Sequence, residues 1–255
     1  MPVVKLTLAY DGTAYVGWQL QPNGPSIQAE VERGLSTLHK APRRVTAAGR
    51  TDAGVHARAQ VCSFPEASPL PLRAYVQGMN ALLPPDVAVV AAALEAEGFD
   101  ARRSARGKRY RYTIENRETR FPLTRTMAWQ LFRPLDAGAM REAAARLVGR
   151  HDFAAFQASD CEARHAVRDL LRLDVEGEGR GTVQVVAEAT AFVKHMVRNL
   201  VGTLVEVGLG KHPPAWAGEV LAGRDRTRAG PTAPAHGLCL DEVFYSYSVG
   251  AGHES

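Results

Sequence analysis

The order of short periodic segments constrains this chain more than any single motif: strand, helix, strand, strand, helix, strand, then a second pass through the same order. Residues 3–10 alternate, with Val4, Leu6, Leu8 and Tyr10 on one face and Lys5, Thr7 and Ala9 on the other, as in a half-buried strand. Ser26 then caps a helix carrying Ile27, Val31, Leu35 and Leu38 along one stripe. Strand patterns near 43–48 and 58–64, a helix near 70–83 and an apolar strand at 87–94 complete the first pass. After an extra strand at 107–116, the second pass opens with a strand near 126–132 and a helix at 136–148, started by Asp136 and closed by Gly149. Strands at 167–176 and 181–189, helices at 192–207 and 214–222, and a last strand at 238–248 follow. The pattern predicts an α+β protein of two pseudo-symmetric ferredoxin- or RRM-like β-α-β-β-α-β units with mainly antiparallel sheets and a central cleft. The expected units are residues 1–104 and 105–255.

The chain has 255 residues, enough for two modest cores, and a formal net charge of +4. That excess is too small to imply nucleic-acid binding by itself, so the placement of the arginines matters more. Three widely spaced cysteines with no Cys-x-x-Cys pair exclude a disulfide framework and a structural zinc site. Isolated histidines and the lack of phosphate-binding glycine motifs lead to an expectation of no metal and no nucleotide cofactor. With no signal-peptide pattern and no run long enough to span a bilayer, the expected location is the cytoplasm, away from membranes.

Chemistry concentrates in the loop Ala48 to Ala57, where Arg50, Thr51 and Asp52 stand between Gly49 and Gly54. Asp52 is the only carboxylate between Glu32 and Glu66, with Arg43, Arg44, Arg50 and Arg58 around it in sequence. Such a carboxylate suits a nucleophile or an anchor; a turn aspartate capping its own loop is the alternative. The densest basic run is Arg102, Arg103, Arg106, Lys108, Arg109 and Arg111, interleaved with Phe99, Tyr110 and Tyr112. Alternation puts Tyr110 and Tyr112 on one strand face, where an aromatic ring can meet a base while loop arginines hold phosphates. Arg198 lies in an apolar helix and needs an acidic partner, for which Glu206 and Asp52 are the two candidates.

Several blocks carry a family resemblance. They are Tyr10-Asp11-Gly12 with Gly17-Trp18-Gln19, the Gly49–Ala57 loop, Phe99-Asp100-Ala101-Arg102 and Arg109-Tyr110-Arg111-Tyr112. Phe192 to Asn199, Val207-Gly208, Asp225-Arg226-Thr227 and Gly237-Leu238 follow. In this order, over nearly the whole length, they resemble the tRNA pseudouridine synthase A family. The resemblance implies an isomerase converting uridine to pseudouridine at tRNA positions 38, 39 and 40, in the anticodon stem-loop. It also implies a homodimer working without metal or organic cofactor.

By the same resemblance, Asp52 is the catalytic aspartate, attacking C6 of the uracil or C1′ of the ribose. Tyr110 stacks on the base, Arg198 pairs with the aspartate, Arg50 holds the flipped-out nucleotide and Leu238 is an apolar residue against the base. RNA contacts carry over to Phe99, Asp100, Ala101, Arg102 and Arg103, and to the stretch Asp160 to Arg164. That second stretch departs from the family pattern, because Gln157 stands where a basic residue is common and Asp160 and Glu162 add negative charge. Two other readings compete. A non-catalytic tRNA-binding protein would use the same arginines, and a carboxylate-based hydrolase would need a second acid beside Asp52.

Overall fold

In the computed structural model, which describes residues 1–246 apart from Glu162 and Arg164, the alternating opening segment forms β1 (Val3–Tyr10). Helix α1 (Ile27–His39) starts where Ser26 Oγ accepts the Ala29 N–H at 3.3 Å, and it buries Ile27, Val31 and Leu35. The pair β2 (Thr46–Ala47) and β3 (His56–Pro65) follows, then α2 (Met79–Leu82) and β4 (Val87–Glu95). Two compact units result: residues 1–53, 57–108 and 240 onward make up the first, and 54–56 with 109–239 the second.

The sheet of the first unit runs β4-β1-β3-β10, with β10 spanning Leu238–Phe244 and β2 attached to β3. Strand β1 is antiparallel to both neighbours, so Val4 faces Phe64 on one side and Leu94 on the other. The strand expected over 43–48 shrinks to two residues, because Arg43 and Arg44 turn to Glu66 and Glu32 instead of pairing along β3. The helix expected at 70–83 contains a π-helical turn over Ala74–Gly78 just before α2. Tyr75 in that turn is fully buried, and its hydroxyl accepts the Leu70 N–H at 3.1 Å.

In the second unit the order is β5-β9-β8-β7, from β5 (Gly107–Asn116), β7 (Gly149–Asp152), β8 (Val167–Glu176) and β9 (Gly181–Ala189). Strands β7, β8 and β9 pair antiparallel, while β6 (Trp129–Leu131) lies parallel on the end of β5. The expected opening strand at 126–132 is therefore a three-residue appendage, and the ten-residue β5 occupies the sheet in its place. Strand β7 went unforeseen, since four residues of mixed polarity carry no periodic signal. Helix α3 (Ala137–Ala145) is capped by Asp136, whose Oδ1 accepts the Ala139 N–H at 2.8 Å.

Helix α4 (Met196–Gly208) is buried on most sides, among α3 and α5 (Ala215–Gly223). It begins at residue 196 and not 192, because His195 adopts a left-handed backbone with φ 63° and stops the helix from extending backwards. No helix among the described residues is long and apolar enough to cross a membrane.

Candidate active site

Asp52 sits half-buried in the loop between β2 and β3, on a backbone braced from several directions. Thr51 Oγ1 shares a 2.8 Å hydrogen bond with the Tyr10 hydroxyl, and the Thr51 carbonyl accepts the Trp18 N–H at 3.0 Å. Gln60 Nε2 donates to the Gly49 carbonyl at 2.8 Å. Tyr10 and Gln60 are 4% and 0% exposed, so these bonds form away from water and breaking one strands a buried polar group, at a cost of about 1–3 kcal/mol.

Gly17, at φ 104°, lies against the back of the same loop: a Cβ there would stand 2.6 Å from the Thr51 carbonyl oxygen and 3.1 Å from the Asp52 carbonyl carbon. The Gly17 and Trp18 carbonyls in turn accept the Ile27 and Gln28 N–H groups at the start of α1, at 3.2 and 2.9 Å. The chain thus immobilises the backbone of one aspartate from two distant stretches, the support a reacting side chain requires.

The cations expected around Asp52 are largely engaged elsewhere. Arg43 Nε donates to Glu66 Oε2 at 2.8 Å, Arg44 Nη1 to Glu32 Oε2 at 2.6 Å, and Arg58 Nε lies 3.9 Å from Asp241 Oδ1. Sequence proximity misled here because Glu66, Glu32 and Asp241 come from other elements. Arg50, within the loop itself, is exposed.

Lys108, one of the basic run read from the sequence, is partly buried. Its side chain packs on Gly49, and burial, with the charge of Arg102 second, holds its pKa below the ordinary lysine value. The folded pKa lies under the unfolded one, so stability is held back while Lys108 is charged and rises as pH climbs from the folded towards the unfolded pKa. Lys108→Met is expected to raise the neutral-pH Tm by about 2–4 °C and to flatten that alkaline rise, both measurable by thermal melts across pH.

The 99–103 loop divides into supports and displayed groups. Asp100 Oδ1 accepts the N–H groups of Arg102 and Arg103 at 2.9 and 2.7 Å. Ala101 is fully buried, with its N–H on Ser63 Oγ and its carbonyl accepting the Tyr245 hydroxyl. Arg102 and Arg103 are left exposed, and Phe99 packs against Tyr245 with ring centroids 5.0 Å apart.

In the second unit, the Tyr110 ring is 8% exposed and meets Phe192 edge-on at 5.2 Å. Tyr112, on the same face, is fully buried, and its hydroxyl donates to the Pro234 carbonyl at 2.8 Å. Of the two tyrosines, only Tyr110 keeps any surface. On the opposite face Arg109 binds Glu188 at 2.6 Å, and Arg111 binds Gln184 at 2.6 Å and Glu176 at 3.1 Å.

Arg198 lies in the first turn of α4, and its Nε donates to the Ala233 carbonyl at 2.7 Å. Its candidate partner Glu206 is bound by Lys211 at 2.9 Å, eight residues further along a helix that rises about 1.5 Å per residue. Leu238 is 6% exposed at the start of β10, directly after the turn Ala235–Gly237. In the 160–164 stretch, Lys194 Nζ donates to Asp160 at 2.5 Å and holds that carboxyl below its usual range, while Glu162 and Arg164 lie outside the described residues. Among the described residues no group of His, Cys, Asp and Glu side chains is placed to hold a metal ion.

A model of the tRNA pseudouridine synthase family matches residues 143–246. The chain is 62% identical to tRNA pseudouridine synthase A of Myxococcus xanthus, covering 96% of this chain and 92% of that one. It is 50% identical to tRNA pseudouridine synthase A of Syntrophotalea carbinolica, covering 96% and 97%. Among solved structures, a Cbf5-Nop10-Gar1 complex aligns with a TM-score of 0.36 at 14% identity, over 79% of this chain and 45% of that one.

Proposed function

This chain belongs to the tRNA pseudouridine synthase A family, and on that premise we propose how its own residues carry the reaction. It isomerises uridine to pseudouridine in tRNA. The target lies in the anticodon stem-loop, at positions 38, 39 and 40, and leaves the base stack because its glycosidic bond and C5 are inaccessible within it. The Asp52 carboxylate attacks the nucleotide at C6 or C1′, the C1′–N1 bond breaks, and the retained base turns. A C1′–C5 bond then forms and the carboxylate is released, displaced from C1′ by C5 or eliminated from C6. The C5 proton departs while N1 takes one up, so atoms are rearranged with no net gain or loss of electrons. Arg198 supplies positive charge to this chemistry, Tyr110 stacks on the base, Leu238 gives it an apolar wall and Arg50 holds the nucleotide out.

What supports Asp52 is the brace of Tyr10, Thr51, Trp18, Gln60 and Gly17 behind its backbone. Phe99, Arg102, Arg103 and Arg164 contact RNA, whereas Asp100 and Ala101 shape the loop that presents them. The division of labour follows the two halves: 1–104 carries the aspartate loop, and 105–255 carries the tyrosine and Arg198. The order β4-β1-β3, with the short β2 attached to β3, supports a ferredoxin-like unit in the first half, and we infer a pseudo-symmetric second one in the other half. The enzyme works as a cytoplasmic homodimer, where its tRNA substrates are. The test uses purified protein and a tRNA transcript labelled with tritium at uridine C5. Tritium release with pseudouridine mapped only to the anticodon arm is expected; tight binding without release would refute the reading.

A further inference from the structure

Arg198 and Ala233 are tied to each other in both directions. The Arg198 Nε donates to the Ala233 carbonyl at 2.7 Å, and the Arg198 carbonyl accepts the Ala233 N–H at 3.1 Å. Yet residues 229–234 form neither helix nor strand, and so side chains must hold them in place. Arg226 donates from Nη1 to the Gly230 carbonyl at 3.0 Å, and from Nη2 to Thr232 Oγ1 at 2.9 Å and Asn199 Oδ1 at 3.1 Å.

The Thr232 hydroxyl also donates to Asn199 Oδ1 at 2.7 Å, and Asn199 Nδ2 donates to the Phe156 carbonyl at 2.8 Å. The Gly230 N–H reaches Thr203 Oγ1 at 3.0 Å, and both Asn199 and Thr203 are fully buried. The segment lies directly on the α4 backbone: a Cβ on Gly202 would fall 1.7 Å from the Pro231 carbonyl oxygen.

Stability alone does not account for Arg226. All three of its hydrogen bonds go to neutral oxygens, and burial pushes its pKa down, the signature of a partly desolvated cation without carboxylate compensation. Asn199 adjoins Arg198 in the chain and receives that guanidinium. The same strap passes on through the Tyr112–Pro234 bond to Leu238.

We propose that Arg226, acting with Asn199 and Thr232 on the 229–234 strap, is the positioning residue that aims the Arg198 guanidinium. The proposal rests on the assignment of Arg198 to the reaction made above.

The test measures single-turnover pseudouridine formation and tRNA Kd for Arg226→Ala, Arg226→Lys, Arg198→Ala and the Arg198→Ala/Arg226→Ala pair, below their melting temperatures. Arg226→Ala is expected to slow the reaction about 10- to 100-fold with Kd unchanged within about twofold. Added guanidinium ion restores part of that rate, whereas Arg226→Lys stays slow because an ammonium cannot span three acceptors in one plane. The double variant should be no slower than Arg198→Ala alone. A weakened Kd with normal rate would instead make Arg226 an RNA-phosphate contact, and multiplying losses would make it independent of Arg198; either overturns the proposal. An Arg198→Ala enzyme with normal rate would refute the role of Arg198 itself, a distinct failure. Should Arg226→Ala not fold, Thr232→Val removes the bridging hydroxyl and is judged by the same measurements.

Discussion

Asp52→Asn is expected to lower pseudouridine formation by about ten-thousand-fold or more, while the fold and tRNA affinity stay within about twofold of the parent. The amide keeps the shape of the carboxylate and can still accept a hydrogen bond, but it is a poor nucleophile. The loop should survive, because Thr51, Gly49 and their partners brace its backbone. Quantifying pseudouridine in a tRNA transcript after single turnover, beside a tRNA-binding titration, checks both halves. Near-normal turnover would mean that the carboxylate is an anchor and not the nucleophile.

Gly17→Ala should damage both stability and catalysis, although residue 17 is no candidate for chemistry. The added methyl would sit 2.6 Å from the Thr51 carbonyl oxygen, on a backbone at φ 104° that L side chains rarely adopt. Strain and clash together should cost about 3 kcal/mol, or about 6–12 °C of Tm. Relief of the clash has to move the Thr51–Asp52 peptide, and a displacement of about 1 Å at a reacting group lowers the rate about 100-fold. Gly210→Ala is the control, since Gly210 also has a positive φ (71°) but nothing within 4 Å of its added Cβ. It should lose about 1 kcal/mol and no activity. Equal loss of turnover in both variants would show that general destabilisation, and not the aspartate loop, is responsible.

Much of the local architecture was legible because its causes are local. Alternation in residues 3–10, the Ser26 and Asp136 caps and the stripe of α1 act within a few residues, and each element started where the pattern put it, although α3 ends at Ala145 and Gly149 opens β7 instead of closing that helix. Strand β7, the shortened strand at 46–47 and the late start of α4 were not legible in that way. Each depends on what a neighbouring element offers or on a single left-handed residue at His195.

The candidate site divides along the same line. Asp52, Arg50, Tyr110, Arg198 and Leu238 were marked by residue type, loop punctuation and family blocks, all properties of sequence order. Partners were another matter. Arg43, Arg44 and Arg58 look like neighbours of Asp52, yet they face Glu66, Glu32 and Asp241. Glu206 looks like a partner for Arg198, but Lys211 holds it, while the Arg198 Nε donates to the Ala233 carbonyl.

By itself, then, the sequence determined most of the element types, the aspartate loop and the family, because these follow from short-range periodicity and from the order of residues. Only the tertiary structure decided which tyrosine keeps an exposed edge, which glycine braces the loop and which side chains aim Arg198. Hydrogen bonds and ion pairs select partners by distance in space, and residues 10 and 51, or 199 and 226, become neighbours only when the chain has folded.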